Sequence, residues 1–93
     1  MSDQITVQIP TALQPQVGDQ ASVNATGATV GEVLGTLRAE YPEFGQRLYK
    51  GENQLNRFIN VYLNDEDIRF LDNLDTPVKT GDELAIIPAI AGG

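Results

Sequence analysis

The sequence predicts an α+β fold in which one main helix covers one face of a sheet of four to five strands. Three observations carry this expectation. Short segments near both ends alternate apolar and polar residues, one segment between them repeats its apolar residues at helical spacing, and turn-forming residues separate the segments. A chain of 93 residues, 41% hydrophobic and 20% charged, has the composition of one ordinary globular domain.

The opening run Gln4-Ile5-Thr6-Val7-Gln8-Ile9 sets Ile5, Val7 and Ile9 on one side and polar residues on the other. Period two with β-branched residues is a half-buried strand, ended here by Pro10. A polar stretch with Pro15 and Gly18 leads to a second short strand around Ala21–Ala25, making a hairpin with a long loop. The helix follows: Val30, Val33, Leu34, Leu37 and Tyr41 form one apolar stripe at helical spacing. Thr29 and Glu32 form a capping box, each side chain satisfying an orphan backbone N–H. Pro42 stops the run by disfavouring helical geometry at Tyr41. Gly31 and Gly35 each weaken the helix by about 0.8–1 kcal/mol relative to Ala.

Glu43–Leu48 is read as one further turn and Lys50–Asn56 as a polar loop. In Arg57–Asn64, Ile59, Val61 and Leu63 share one face while Phe58, Asn60 and Tyr62 share the other. Asn64-Asp65-Glu66-Asp67 makes a turn, since Asn and Asp tolerate left-handed backbone. A short strand is expected at Ile68–Phe70, a break at Thr76-Pro77, a turn at Lys79–Asp82 and a last strand at Glu83–Pro88. A single helix covers one face of the sheet and leaves the other bare. That bare face is expected to carry Phe58, Tyr62 and Ile87, which with Ile90 make an apolar docking patch.

Charge and absent residue types narrow the function. Six basic against 13 acidic residues give a net charge of −7, which argues against nucleic acid and against an anionic membrane surface. There is no Cys and no His, so thiol chemistry, disulfides and the commonest general base are missing. Ser2 and Ser22 have no His to activate them. Carboxylates, tyrosines and two lysines remain as possible catalytic groups, but the usual kit is missing and the chain is read as a non-enzyme. Asp65-Glu66-Asp67 lacks the spacing and glycine of a calcium loop, so it is read as a solvated turn and no metal is expected. These acids, with Asp72, Asp75, Asp82 and Glu83, are suited to steering toward a basic partner surface. With no basic leader and no apolar run near the length of a spanning helix, a cytoplasmic location is expected.

The last ten residues, Leu84 to Gly93, carry no charged side chain although a fifth of the chain is charged. Residues 1–88 are read as the domain and 89–93 as a flexible tail. Five residues extend roughly 16 Å at ~3.3 Å per residue, more than the roughly 12 Å radius of gyration of a domain this size. Ala89, Ile90, Ala91 and Gly92 are suited to threading a narrow channel, because the glycines lack a Cβ, and Gly93 presents a carboxylate at the tip.

The segment Lys79-Thr80-Gly81-Asp82-Glu83-Leu84-Ala85-Ile86-Ile87-Pro88-Ala89-Ile90-Ala91-Gly92-Gly93 resembles the ends of ubiquitin-like β-grasp sulfur carriers, such as the molybdopterin synthase small subunit and the thiamine-pathway carrier. Arg57–Phe70 and the opening Val7-Gln8-Ile9-Pro10-Thr11 look closest to the mycobacterial-type branch that supplies sulfur for cysteine synthesis. Ile87 and Ala89 stand where molybdopterin-type tails often carry an aromatic and a second proline. The resemblance implies a mixed β-grasp sheet and a Gly93 that is adenylated and converted to a thiocarboxylate. It implies as partners a ubiquitin-activating-like adenylating and sulfurating enzyme, a PLP-dependent cysteine synthase and a metalloprotease that releases cysteine. ATP, PLP and zinc would belong to those enzymes, and the carrier would bind no cofactor. Carriage of sulfur for molybdopterin or thiamine, a ubiquitin-like modifier and a plain interaction domain are the alternatives.

Overall fold

The two strands with the clearest alternation, β1 (Gln4–Gln8) and β5 (Glu83–Pro88), pair in parallel at the centre of the sheet, with Val7 opposite Leu84. This arrangement comes from a computed structural model that describes residues 4–49, 55–56 and 59–88. Around the central pair lie β2 (Ser22–Thr26), antiparallel to β1, then β3 (Ile59–Leu63), antiparallel to β5, and β4 (Glu66–Asp67) outside it. The order β2-β1-β5-β3-β4 makes one mixed sheet of five strands, the β-grasp arrangement implied by the tail motif. The expected strand start at Arg57 and Phe58, most of the Lys50–Asn56 loop and the tail Ala89–Gly93 lie outside the described residues.

Helix α1 (Val30–Glu40) is capped where its sequence predicts, the Thr29 hydroxyl accepting from the Glu32 N–H at 3.2 Å. The Glu32 carboxylate reaches one residue further back than a standard capping box, accepting from the Ala28 N–H at 2.9 Å. The Val30 N–H donates to the Thr76 carbonyl and the Val78 N–H to the Ala28 carbonyl, tying the helix start to the segment before β5. Pro42 does end α1, and it also opens α2 (Pro42–Leu48) at a position where its missing N–H costs nothing. The single turn expected at Glu43–Leu48 is therefore a seven-residue helix that buries Phe44 and Leu48. Val30, Val33, Leu34 and Leu37 from α1, with Ile5, Val7 and Leu84 from the sheet, are wholly buried. Burial of each such side chain is favourable by about 1.5–3 kcal/mol.

Three expectations are corrected. The stretch read as a polar loop is a 3-10 helix, Thr11–Val17, because Leu13 and Val17 turn inward to close the core and Gly18 (φ 68°) ends it. The second strand runs Ser22–Thr26, one residue later than expected, in a register that puts Val23 opposite Val7. The strand expected at Ile68–Phe70 is a 3-10 turn. Asn64 and Asp65 hold φ of 50° and 72°, giving a tight two-residue turn, so strand pairing resumes at Glu66 and ends at Asp67. The Asp67 side chain then accepts from the Arg69 N–H and bends the chain out of extended geometry.

Candidate functional site

The chain leaves the sheet at Pro88, whose strand partner is Ile59. On the face of the sheet away from α1, β5 presents Glu83, Ala85 and Ile87 while Leu84 and Ile86 are buried beneath the helices. β3 presents Asn60 and Tyr62, opposite Ile87 and Ala85 respectively. Tyr62 and Ile87 are thus diagonal neighbours on one face, about 7–8 Å apart in a regular antiparallel ladder. The expected docking face does bring these two residues together. Phe58, the third residue expected there, lies outside the described residues, as do Ala89, Ile90, Ala91, Gly92 and Gly93.

The same face divides into two halves. Toward β2 it is polar: the Thr6 hydroxyl donates to Asn24 Oδ1 at 3.2 Å, and Gln8 Nε2 donates to Glu83 Oε2 at 3.3 Å. Toward β3 it carries Ala85, half-buried Tyr62 and Asn60, and Ile87, which is 45% exposed.

The start of β5 is fixed by a small network. Asp82, buried, accepts from Asn64 Nδ2 at 3.0 Å through one carboxylate oxygen and from the Lys79 N–H at 2.9 Å through the other. Asn64 Oδ1 accepts from the Glu83 N–H at 3.0 Å, and Asn64 N–H donates to the Glu83 carbonyl at 2.9 Å. The turn into β5 and the β3–β4 turn are thereby locked together, setting the register in which β5 delivers Pro88.

Beyond β4 the sequence reading missed two features. Asp67 is not a solvated turn residue but buried, and Arg69 grips its carboxylate through Nε at 3.1 and 3.2 Å and through a second nitrogen at 2.7 Å. The Arg69 hydrogen bonds, from side chain and then backbone, hold the Asp67 carboxyl below the usual carboxylate range, and Asp67 raises the Arg69 guanidinium in turn. The second feature is Phe70, 82% exposed at the end of the same turn. The Asp67-x-Arg69 spacing was the available signal for the first; exposure of a single aromatic has no local signature. On the helical side, Tyr49 is raised above its ordinary pKa by burial, opposed by the Arg38 guanidinium 4.7 Å above its ring. Among the described residues no three Asp or Glu side chains converge as metal ligands, and no helix is long and apolar enough to cross a membrane.

The chain is similar to known proteins both in sequence and in fold. A model of the ThiS family matches residues 7–93. The sulfur carrier protein CysO of Mycobacterium tuberculosis is 46% identical over 91 residues, covering 96% of this chain and 98% of the relative. The fold matches that of the Amycolatopsis orientalis BexX/CysO complex with a TM-score of 0.88 at 49% identity, over 96% of this chain and 99% of that one. It also matches the small archaeal modifier protein 1 of Methanosarcina acetivorans, with a TM-score of 0.89 at 26% identity over 100% and 99% of the two chains.

Proposed function

Because this chain belongs to the ThiS family of ubiquitin-like sulfur carriers, we propose that Gly93 is its working group, carrying sulfur as a C-terminal thiocarboxylate destined for cysteine. The chain is a carrier and co-substrate rather than an enzyme. One observation supports the Gly93 reading above others: the uncharged run that begins in the central strand β5 continues past Pro88 to Gly92-Gly93, and the family match extends through residue 93.

In the proposed chemistry a Gly93 carboxylate oxygen attacks the α-phosphorus of ATP on a ubiquitin-activating-like enzyme, and pyrophosphate leaves. Hydrosulfide, or an enzyme-held equivalent, attacks the carbonyl carbon of the acyl adenylate and AMP leaves. The resulting thiocarboxylate is ionised at neutral pH and is a strong sulfur nucleophile. The thiocarboxylate sulfur would form the new C–S bond to a three-carbon unit supplied by a PLP-dependent cysteine synthase, and an acyl shift to the amino group would leave cysteine in amide linkage to Gly93. Hydrolysis of that amide by a zinc metalloprotease would release cysteine and restore the Gly93 carboxylate. ATP, PLP and zinc are all supplied by partners. The chain's own contribution is reach and docking. Five residues past Pro88 can span at most roughly 16 Å at ~3.3 Å each, against a radius of gyration of 12.0 Å for the described residues. The Tyr62–Ile87 half-face meets the partner beside the tail. ATP-dependent activation also fits the cytoplasmic location expected from the sequence.

The test is an intact-mass measurement after incubation with ATP, a sulfide source and a ubiquitin-activating-like enzyme, followed by a thioacid-selective alkylating agent. An adduct mapped to Gly93 supports the reading. Alkylation is needed because Met1 oxidation nearly matches the mass change of oxygen-for-sulfur exchange. A chain lacking Gly92 and Gly93 is expected to keep its melting temperature and form no adduct. The likeness to an archaeal modifier protein favours one second reading, protein conjugation through Gly93. Isopeptide-linked high-mass species without a thioacid would decide for it.

A further inference from the structure

Exposed large apolar side chains are rare among the described residues: Ile87 is 45% exposed and Phe70 82% exposed. Ile87 belongs to the docking face already described. Phe70 does not, and its surroundings are built rather than incidental. Ile68 of the same 3-10 turn is 2% exposed and roots the turn in the core. The Asp67 carboxylate accepts from the Arg69 N–H at 2.9 Å, and its grip on the guanidinium holds the turn from the other side. The Leu71 N–H closes the turn on the Ile68 carbonyl at 2.9 Å. An aromatic displayed on such a support brings large contact area to a partner at little cost in ordering, since only two side-chain torsions remain free.

The charge around Phe70 defines what it meets. Between Asn64 and Asp75 there are five acids and one base, a net −4 within a chain of −7. Asp65, Glu66, Asp72 and Asp75 are exposed on both sides of the turn, while the single base, Arg69, is neutralised by Asp67. The location defines which partner it is. Arg69 and Ile59 line one cavity of about 220 Å³, and Ile59 is the strand partner of Pro88, where the tail departs. The turn that carries Phe70 and the strand residue opposite Pro88 therefore border the same cavity.

We propose that Phe70 is a second anchor for the tail-receiving activating enzyme, its ring entering an apolar pocket on that enzyme ringed by Lys and Arg. This rests on the reading of Gly93 as the group the enzyme acts upon. The test uses the full chain, ATP, a sulfide source and the activating enzyme, with pyrophosphate release followed as carrier concentration is varied. Phe70→Ser is expected to raise the KM for the carrier about tenfold or more, as loss of a buried anchor does, with kcat within about twofold. Phe70→Leu is expected to retain most of the affinity, and neither variant shifts the melting temperature, because the ring is exposed. Raising ionic strength is expected to raise the wild-type KM, since the acidic surround contributes by long-range attraction. Wild-type turnover with an unchanged KM for Phe70→Ser overturns the Phe70 proposal alone. Absence of pyrophosphate release from the wild-type chain overturns the Gly93 reading and this proposal with it.

Discussion

Three glycines around α1 make one graded prediction of stability. Gly35 sits inside the helix, and a Cβ built on it meets no atom within 4 Å. Gly35→Ala therefore gains the full difference in helix propensity, about 0.8–1 kcal/mol, through a less flexible unfolded chain. For a domain of this length that raises the melting temperature by roughly 3–8 °C. Gly31 has the same propensity term, but a Cβ there lies 3.0 Å from the Leu74 carbonyl oxygen and 3.2 Å from Leu74 Cβ, so the Asn73–Asp75 turn must yield. Its two terms nearly cancel, and Gly31→Ala is expected at or slightly below wild type. Gly27 joins β2 to the helix cap, and a Cβ there falls 2.7 Å from the Val33 nitrogen and 2.9 Å from Glu32 Cβ. Nothing at that contact is a flexible side-chain end. The first turn of α1 must move, at an overpacking cost of about 1–3 kcal/mol, and the melting temperature falls by roughly 4–24 °C on the same scaling. Thermal and urea unfolding followed by far-UV circular dichroism measure the series. The expected order is Gly35→Ala, wild type, Gly31→Ala, Gly27→Ala. A Gly27→Ala protein as stable as wild type, or a destabilised Gly35→Ala, would refute the packing argument.

Other expectations concern the site. Asp82→Ala leaves Asn64 Nδ2 and the Lys79 N–H without their acceptor, and is expected to cost about 1–3 kcal/mol in urea unfolding. Asp67 has a carboxyl lowered by Arg69, so its contribution is present above the ordinary carboxylate pKa near ~3.9 and is lost as pH falls through the lowered folded value. Wild type is therefore expected to lose more stability than Asp67→Asn on acidification below about pH 4, measured by denaturation at each pH; parallel acid limbs would contradict this. Ile87→Ser removes an exposed residue from the face beside the tail. It is expected to leave the melting temperature within a few degrees of wild type while weakening binding to the activating enzyme in titration calorimetry.

The strands and the helix were legible because their signals are local. Alternation in Gln4–Ile9 and Glu83–Pro88, the stripe from Val30 to Tyr41 and the Thr29–Glu32 pair each need only a few neighbouring residues to be read, and the elements form there, with Ile9 and Tyr41 one residue past their ends and the Glu32 carboxylate on the Ala28 N–H. The same alternation placed Tyr62 and Ile87 on one face, since side-chain direction follows from strand parity once the two strands pair. The Gly-Gly end was likewise a matter of sequence alone. Tertiary structure decided the remainder. Leu13 and Val17 make a single i, i+4 pair around Pro15, too short a pattern to read as a helix, and their burial is set by the folded chain. Gly31 and Gly35 are equivalent by propensity, yet one lies against Leu74 and the other faces open space, a distinction created by residues about forty positions away. Asp67 and Phe70 belong to one run of acidic and mixed residues. The turn that ends β4 buries the carboxylate under Arg69 and lifts the ring into solvent, because pairing to β3 stops there. Periodicity determines which face a residue takes within its element, whereas burial depends on what packs against that face from elsewhere in the chain.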